Sequence, residues 1–295
     1  MLELNNLIKQ YDGIKAVDNI ELKIKKGDIF GFLGPNGAGK TTTIRMIMGI
    51  IEPDSGTILL NEKNISEHGR GKLGYLPEDR GLYQKQKLEE TIIYFASLRG
   101  LNKKKAIGQT HHWLERFDLY EQRNRKIEEL SKGNQQKIQF ILSLIHDPSL
   151  LILDEPFTGL DPLNQVLLKE IIQEKSKEGK TILFSTHQME QVERICNNIC
   201  LINKGKIILN GKLEDIRKAN SKNYVNVQYR GELDIEKIKL FFKNIKFNKS
   251  SFSGELAKPS SEMLQWLSQT VYVELFEMQT PTLEQIFIDS IKKSS

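Results

Sequence analysis

Residues 34–41, Gly-Pro-Asn-Gly-Ala-Gly-Lys-Thr, constrain this chain most, because they match the pattern G-x-x-x-x-G-K-[ST]. The glycines allow backbone N–H groups to curl around phosphate oxygens, Lys40 brings a positive charge toward the β- and γ-phosphates, and Thr41 offers a hydroxyl to Mg²⁺. The apolar run 28–33 predicts a buried strand before the loop, and the apolar spacing of 41–49 predicts a helix after it. A helix N-terminus would then face the anion. The pattern predicts a site for a nucleotide phosphate. The alternative is a glycine-rich turn that matches the pattern by chance, but the strand-loop-helix setting favours the phosphate site.

The composition is that of an ordinary globular protein. The 295 residues suffice for about two domains, with 39% hydrophobic residues, 27% charged residues and a net charge of +5. We expect no N-terminal signal segment, and no apolar stretch of about 20 residues could span a bilayer. Cys196 and Cys200 have apolar neighbours and do not by themselves close a metal site, so we expect buried side chains and a reducing, cytosolic compartment. If the protein works at a membrane, another chain must supply the spanning helices.

A second apolar run ends in two acids at residues 150–155, Leu-Leu-Ile-Leu-Asp-Glu. It predicts a buried parallel strand, and strand alternation would point Asp154 and Glu155 in different directions. Phosphate hydrolysis needs two carboxylates with different tasks, because one holds Mg²⁺ while the other activates the attacking water as a general base. In a chain that also carries a phosphate-binding loop, the two acids are therefore a candidate metal and catalytic set.

Three further segments flank this run. Ser131 is placed to cap a helix whose first residues are small, which leaves N–H groups free for an anion, the alternative being an ordinary capped helix. Residues 158–162 read Thr-Gly-Leu-Asp-Pro. The β-branched run 181–186 is followed by His187 at the end of a predicted strand, where open parallel sheets carry their functional groups.

In this order the segments resemble those of the ATP-binding-cassette (ABC) ATPases, over residues 1–218. The matching motifs are a Walker A loop at 34–41, a signature loop at 130–134, a Walker B strand ending at Asp154, a D-loop at 159–162 and a switch histidine at 187. The resemblance implies an α/β fold, a P-loop NTPase with a mostly parallel core sheet and with antiparallel β and α-helical subdomains, the helical one at about 79–148. It also implies that the chain binds ATP and Mg²⁺ and hydrolyses the ATP.

The resemblance assigns candidate site residues to three groups. The catalytic group is Glu155, His187 and Lys40. The group that would contact the nucleotide is Tyr11, Gly34, Pro35, Asn36, Gly37, Ala38, Gly39, Lys40, Thr41, Thr42, Glu78, Ser131, Gly133, Asn134 and Asp161. The metal group is Thr41, Asp154 and Glu78. Tyr11 is implied to stack on adenine, although a lone tyrosine at a strand end would be unremarkable by itself, and segment 75–78 is implied to sense the γ-phosphate.

The chain departs from the family pattern at two motifs. The usual Leu-Ser-Gly-Gly-Gln appears with Lys132 and Asn134 in place of the first glycine and the glutamine, and the usual glutamine after Leu-Pro is Glu78. A carboxylate still binds Mg²⁺ but adds negative charge beside the γ-phosphate, so we expect the rate of hydrolysis to change more than ATP binding. Both variants, together with the sequence of residues 77–83, resemble those of ATPase subunits of bacterial sodium-efflux and drug-efflux exporters.

The pattern changes in the last quarter of the chain. Residues 224–229 and 271–276 alternate as half-buried strands, separated by a lysine-rich helical stretch and a turn region. Thr282 and Gln285 form a capping box at the start of a last helix. Residues 219–295 resemble the small α+β accessory domain of such exporter subunits, with regulation, dimer contacts and stabilisation as alternative roles.

The leading interpretation is an ATPase subunit that energises an exporter. It would lie in the cytoplasm, peripheral on the inner face of the cell membrane, and bind a separate transmembrane permease. A second copy of the chain, or a homologous ATPase, would pair with it head to tail, with each ATP between Lys40 of one and Ser131 of the other. Segment 80–87 is expected to seat a helix of the permease, with Leu82 and Tyr83 as an apolar anchor; the alternative is a solvated loop.

Two other classes compete with this interpretation. A soluble ABC ATPase acting on the ribosome or DNA would normally carry two cassettes or a coiled-coil insertion, and this chain has one cassette and no sustained heptads. We therefore expect no nucleic-acid partner, and we expect the basic clusters at 103–105 and 123–126 to be solvated helix faces, with anionic lipid or RNA as alternatives. The other class is a different P-loop enzyme, such as a GTPase or a kinase. Guanine recognition would need Asn-Lys-x-Asp, and residues 203–206 lack the aspartate.

Overall fold

The computed structural model describes residues 1–67, 70–78, 81–220, 224–279 and 282–294. By its internal contacts the chain divides into two compact units, Met1–Gly211 and Lys212–Ser295. None of the helices in the described ranges combines the length and apolarity that a membrane crossing requires.

The first unit contains ten strands and six helices among its described residues. In chain order they are β1 (Leu2–Tyr11), β2 (Ile14–Ile24), β3 (Ile29–Leu33), α1 (Lys40–Ile47), β4 (Ser55–Leu60), β5 (Lys63–Asn64), β6 (Leu73–Leu76), α2 (Leu88–Leu98), α3 (Lys103–Arg116), α4 (Lys132–Leu144), β7 (Leu150–Asp154), α5 (Pro162–Lys177), β8 (Thr181–Thr186), α6 (Met189–Ile195), β9 (Asn198–Asn203) and β10 (Lys206–Lys212). Strands β3, β7 and β8 lie where the sequence predicted strands, and α1 follows the glycine-rich loop as predicted.

Two sheets form the body of this unit. The core sheet has the order β10-β9-β3-β8-β7-β6, and the pairs from β9 to β6 are parallel. A second sheet, β2-β1-β4-β5, pairs antiparallel throughout. Apolar side chains of both sheets and of α1 form one buried cluster, which includes Phe32, Ile44 and Ile152. Because β3 and β7 are fully buried, their sequences are continuous apolar runs rather than alternating ones.

Helices α2, α3 and α4 form the helical part of the first unit. Helix α2 packs on α3 and on α4, and Phe117 at the end of α3 makes an edge-to-face contact with Phe140 of α4 at 6.1 Å between ring centroids. The Lys137 ammonium is buried in α4 and donates to the Phe117 carbonyl at 3.2 Å. These contacts connect the middle of α4, the helix whose start carries the signature loop, to α3.

The second unit begins with α7 (Leu213–Asn220), so the boundary expected between residues 218 and 219 falls inside this helix. It continues with β11 (Tyr224–Arg230), α8 (Ile235–Lys239), β12 (Phe242–Asn248), β13 (Ser251–Leu256), α9 (Ser260–Thr270), β14 (Tyr272–Gln279) and α10 (Leu283–Ser294). Its strands form one antiparallel sheet of order β12-β13-β11-β14. Helix α7 contacts α10.

The structure corrects the predicted connection between the two strands of this unit. The expected lysine-rich helical stretch is only the short helix α8, and a hairpin of β12 and β13 follows it. Phe252 is buried on this hairpin and touches the rings of Phe242 and Phe247. The predicted capping box is half formed, since the Gln285 N–H donates to the Thr282 hydroxyl at 3.2 Å while the Gln285 side chain reaches Asp289.

Candidate functional site

The loop 34–41 connects β3 to α1 and is held from outside by two other segments. Gly39 adopts a φ of 106° before α1, and a Cβ there would lie 2.3 Å from the carbonyl oxygen of Ala16 in β2, so only glycine fits. The Gly205 N–H, between β9 and β10, donates to the Ala38 carbonyl at 2.9 Å. The shape of the loop therefore depends on strands far from it in sequence.

Lys40, the first residue of α1, turns its ammonium group back into the loop. Its Nζ donates to the carbonyl oxygens of Gly34 at 2.7 Å and Pro35 at 3.1 Å. Burial lowers the pKa of Lys40, against the opposing charges of three carboxylates, Asp154, Glu155 and Glu78. The first N–H groups of a helix have no acceptor within it, so the start of α1 adds donors beside this cation. Thr41 is exposed on the same turn and Thr42 is half-buried.

Asp154 ends β7 with a carboxyl group that is only 4% exposed. Burial raises the pKa of Asp154 to about 6, and the negative charges of Glu78 and Glu155 add to this effect. The Ser185 side chain and the Lys40 ammonium act in the opposite direction. A buried carboxylate in such surroundings gains stability from a nearby cation.

Glu155 is the most extensively hydrogen-bonded acid of the site. Its Oε2 accepts from the Thr186 hydroxyl at 2.8 Å, and its Oε1 accepts from the His187 backbone N–H at 2.8 Å and approaches His187 Nδ1 to 2.6 Å. The Glu155 backbone N–H donates to the Ser185 carbonyl at 2.9 Å. All of these partners belong to the end of β8, whereas Glu155 follows β7.

The reason predicted for the orientation of Glu155 is wrong. Strand alternation requires both acids to lie in one strand, and β7 ends at Asp154. Glu155 adopts a φ of 48°, which is uncommon for a residue with a side chain and is found mostly where surrounding contacts enforce it. The backbone turn and the bonds from β8, rather than a strand pleat, set the direction of its carboxylate.

The start of α4 has the geometry that the sequence predicted for Ser131. The Ser131 hydroxyl accepts from the Asn134 N–H at 3.2 Å and caps the helix. A Cβ at Gly133 would lie 3.3 Å from the Gly159 carbonyl oxygen, so the helix passes close to the D-loop. Asp161, in that D-loop, caps α5 by accepting from the Asn164 N–H at 3.0 Å, and hydrogen bonds to Asn164 lower the pKa of Asp161.

Tyr11 and Glu78 lie at the ends of two other strands. Tyr11 ends β1, is 46% exposed, and has the Lys9 ammonium 5.7 Å from its ring centroid. Glu78 follows β6 and is exposed. Its charge acts on both Asp154 and Lys40, which places it in the same electrostatic environment.

The order of the core sheet explains which candidates come together. Strands β3, β8 and β7 are parallel neighbours, so the residues after them, the loop 34–41, His187 and Glu155, lie at one edge of the sheet. Strand β6 is next to β7 and brings Glu78 to this edge. In the part of the chain that the structure describes, no hydrogen bond joins the signature residues to this loop; those residues are Ser131, Gly133 and Asn134.

Sequence reasoning missed Thr186 and Ser185 as parts of the site. Both are buried at the end of β8, where Thr186 bonds to Glu155 and Ser185 lowers the pKa of Asp154. Their position directly before His187 was the available signal, because consecutive residues at a strand end reach the same edge.

The residues present fit a nucleotide phosphate and a divalent cation. The loop combines a half-buried ammonium group with a helix N-terminus, which suits phosphate oxygens. The exposed Thr41 hydroxyl and the buried Asp154 carboxylate are oxygen donors of the kind that Mg²⁺ prefers. Among the described residues, no three His, Cys, Asp or Glu side chains are grouped so that they could hold a metal ion.

Comparison with known proteins shows which proteins this chain resembles. Residues 17–158 match the family model described as ABC transporter, and residues 211–291 match the one described as ATP-binding protein DrrA1-3-like, C-terminal domain. An uncharacterized ABC transporter ATP-binding protein of Bacillus subtilis, YhaQ, is 41% identical and covers 99% of this chain and 98% of its own length. The Nod factor export ATP-binding protein I of Cupriavidus metallidurans is 37% identical over 73% of this chain and 72% of that protein.

Solved structures agree with these sequence relatives. A structure described as the ATP-binding subunit of an ABC transporter has a TM-score of 0.69 and 32% identity, and the match covers 74% of this chain and 92% of the other. The chain belongs to the ATP-binding proteins of ABC transporters. It is therefore an ATP-binding subunit and an ATP hydrolase with a P-loop fold, and the comparisons do not favour an ATPase of the ribosome or DNA.

Proposed function

We propose that this chain is the ATP-hydrolysing subunit of an exporter and that its site works through the residues assigned above. The observation that carries the mechanism is the meeting of Lys40, Asp154 and Glu155 at one edge of the core sheet. A half-buried cation, a carboxylate that can bind a metal and a second carboxylate are the parts that phosphoryl transfer to water requires. Export as the direction of transport rests on the similarity to the Nod factor export ATP-binding protein.

Each residue has a separate role in this mechanism. Tyr11 would stack on adenine, and loop 34–41 would bind the phosphates with its N–H groups and the Lys40 ammonium. Thr41, Asp154 and Glu78 would hold Mg²⁺, which supplies charge neutralisation when bound. Glu155 acts as the general base that takes a proton from the attacking water, and His187 contacts its carboxylate at 2.6 Å.

A second ATPase subunit completes the site in this proposal. The start of α4 carries Ser131, Gly133 and Asn134 and lies beside the D-loop of the same chain. The Ser131 hydroxyl accepts from the Asn134 N–H, and Gly133 lies close to the Gly159 carbonyl. The N-terminus of α4 offers N–H groups to an anion. In a head-to-tail dimer, this end of one subunit and its Asp161 would face the nucleotide held by Lys40 of the other.

The departures in the signature loop are compatible with this arrangement. Lys132 is exposed at the first position of α4, and Asn134 reaches the Gln122 side chain at 3.5 Å. The serine and the second glycine keep the cap and the close approach to Gly159. We therefore expect the altered residues to change the hydrolysis rate more than nucleotide binding.

A permease would dock on the helical part of the first unit, at the face formed by Tyr83, Tyr94 and Phe95. Tyr83 is 56% exposed, stacks on Phe95 at 5.9 Å and contacts Tyr94 edge-to-face at 6.4 Å. This face borders a cavity of about 360 Å³. Leu82 is only 8% exposed, so the predicted anchor role of Leu82 is wrong, and Arg80 of the predicted segment lies outside the described residues.

The docking face is connected by backbone hydrogen bonds to the stretch before the signature loop. The Glu128 N–H donates to the Gln84 carbonyl at 3.0 Å, and the Ile127 N–H donates to the Gln86 carbonyl at 3.1 Å. Force on a docked permease helix could pass through this pairing to Ser131. Binding of the permease there would place the chain on the inner face of the membrane.

Substitution of the proposed general base tests this function. Glu155→Gln should bind ATP with Mg²⁺ but lose turnover, because an amide cannot accept a proton from water. The variant should accumulate as an ATP-bound dimer in size-exclusion chromatography, while Glu170→Gln, an exposed glutamate of α5, should behave as the wild type. A strictly monomeric Glu155→Gln with ATP and Mg²⁺, or hydrolysis near the wild-type rate, would falsify the assignment.

A further inference from the structure

Thr186 makes a hydrogen bond whose direction the structure defines. Its side chain is at the last position of β8 and only 2% exposed, and its Oγ1 lies 2.8 Å from Glu155 Oε2 and 3.1 Å from the Gln188 backbone nitrogen. The Gln188 N–H can only donate, so the hydroxyl accepts from it. An ionised carboxylate can only accept, so the hydroxyl proton points to Glu155.

The other oxygen of Glu155 is held differently. Its partners are the backbone and ring of His187, and this ring is 65% exposed. An exposed ring can turn toward another group without leaving a buried polar atom unpaired, whereas Thr186 is enclosed and bonded on both sides. The two contacts to one carboxylate therefore differ in how easily they can be broken.

Negative charges around the Glu155 carboxylate make its orientation depend on a hydrogen-bond donor that does not move. Two further carboxylates, Asp154 and Glu78, share the surroundings of the Lys40 ammonium with Glu155. Repulsion among these acids would favour other orientations of a free Glu155 side chain. A short charge-assisted hydrogen bond from a buried hydroxyl opposes such reorientation.

We propose that Thr186 is a positioning residue that keeps the Glu155 carboxylate oriented for proton transfer when the His187 ring moves. The proposal rests on the function proposed above for Glu155. The same hydroxyl accepts from Gln188, the residue before α6, so it also joins the base to the start of that helix. Nothing in this role requires Thr186 to touch the nucleotide.

Thr186→Val tests the proposal, because it removes the hydroxyl while keeping the shape of the side chain. Steady-state hydrolysis and equilibrium binding of a fluorescent ATP analogue are measured on the full chain. We expect kcat to fall by about tenfold or more, as for a lost hydrogen bond to a charged group, with the dissociation constant changed less than about twofold. Thr186→Ser keeps the donor and should recover most of the turnover. Thr181→Val, at the other end of β8 and equally buried, is the matched control and should leave both quantities unchanged.

Three outcomes decide the proposal. A Thr186→Val enzyme with kcat within about twofold of wild type overturns it, and so does equal loss of turnover in Thr186→Ser. If the valine variant does not fold, Thr186→Ala, which adds no bulk, should show the same selective loss of kcat, and its absence also overturns the proposal. High residual activity of Glu155→Gln alone would instead remove the general-base role itself, a result distinct from failure of the positioning role.

Discussion

At the scale of single residues, the site depends on polar groups that are buried and paired. Glu155 needs an unusual φ of 48° and three donors from the end of β8, and Lys40 rests on two carbonyl oxygens of its own loop. Each group is costly to bury alone, so its partners determine whether it is oriented for chemistry. Substitutions at this scale should therefore change function selectively.

Lys40→Ala should weaken ATP binding by at least about tenfold, because a hydrogen bond to a charged group is worth about 1.5–3 kcal/mol. Titration with a fluorescent ATP analogue measures the loss. Arg45→Ala, an exposed residue of the same helix, is the control and should bind as the wild type does. Unchanged affinity in Lys40→Ala would show that the loop is only structural.

His146 should make the fold sensitive to acid. It follows α4, its Nε2 is paired with the Leu73 carbonyl at 3.0 Å, and burial lowers its pKa from the ordinary value of 6.5. The unfolded chain then takes up a proton more readily than the folded one, so the free energy of unfolding should fall as the pH drops below about 6.5. Urea denaturation at pH 7.5 and 5.5 should show a larger fall for the wild type than for His146→Gln, and an equal fall in both proteins would contradict the prediction.

At the scale of elements, strand ends supply the chemistry and helix faces supply the contacts. The carboxyl ends of β3, β8 and β7 lie side by side, while α2 presents Tyr94 beside Tyr83 at the surface. Hydrogen bonds to the neighbouring strands hold a residue at a strand end in position, whereas an exposed helix face leaves apolar side chains available to a partner. This division separates hydrolysis from docking.

The double substitution Tyr83→Ser and Tyr94→Ser should separate these two properties. Purified variant protein should keep basal ATPase activity, since both rings are exposed on the helical part, while the fraction of the chain that sediments with cell membranes should fall. Tyr272→Ser removes an exposed tyrosine from the second unit and serves as the control. If membrane association is unchanged, or if basal activity falls with it, the face is not the docking surface.

At the scale of the whole molecule, the chain has two units with separate apolar clusters. The cluster of the first unit includes Phe32 and Ile152, and that of the second includes Val227 and Phe252. Every residue of the proposed nucleotide site belongs to the first unit. A core that is closed within one unit should persist without the other.

A fragment of residues 1–212, which keeps all of β10, should therefore fold and bind the nucleotide with an affinity within about threefold of the full chain. Cooperative urea unfolding and the same fluorescent titration check this on matched preparations. A fragment that fails to unfold cooperatively, or that binds more than about tenfold more weakly, would show that the second unit contributes to the nucleotide site.

The amino-acid sequence by itself determined the strands around the phosphate loop, the Ser131 cap and the ATPase family, because each depends on a contiguous pattern. Tertiary structure alone decided other features. The orientation of Glu155 comes from Thr186, 31 residues away, and Leu82 is buried although it belongs to a polar segment. The β12–β13 hairpin escaped prediction because its phenylalanines recur every five residues instead of at the strand period of two. Phe252 meets Phe242 and Phe247 only when the two strands pair. Such contacts join distant segments, so no local pattern specifies them.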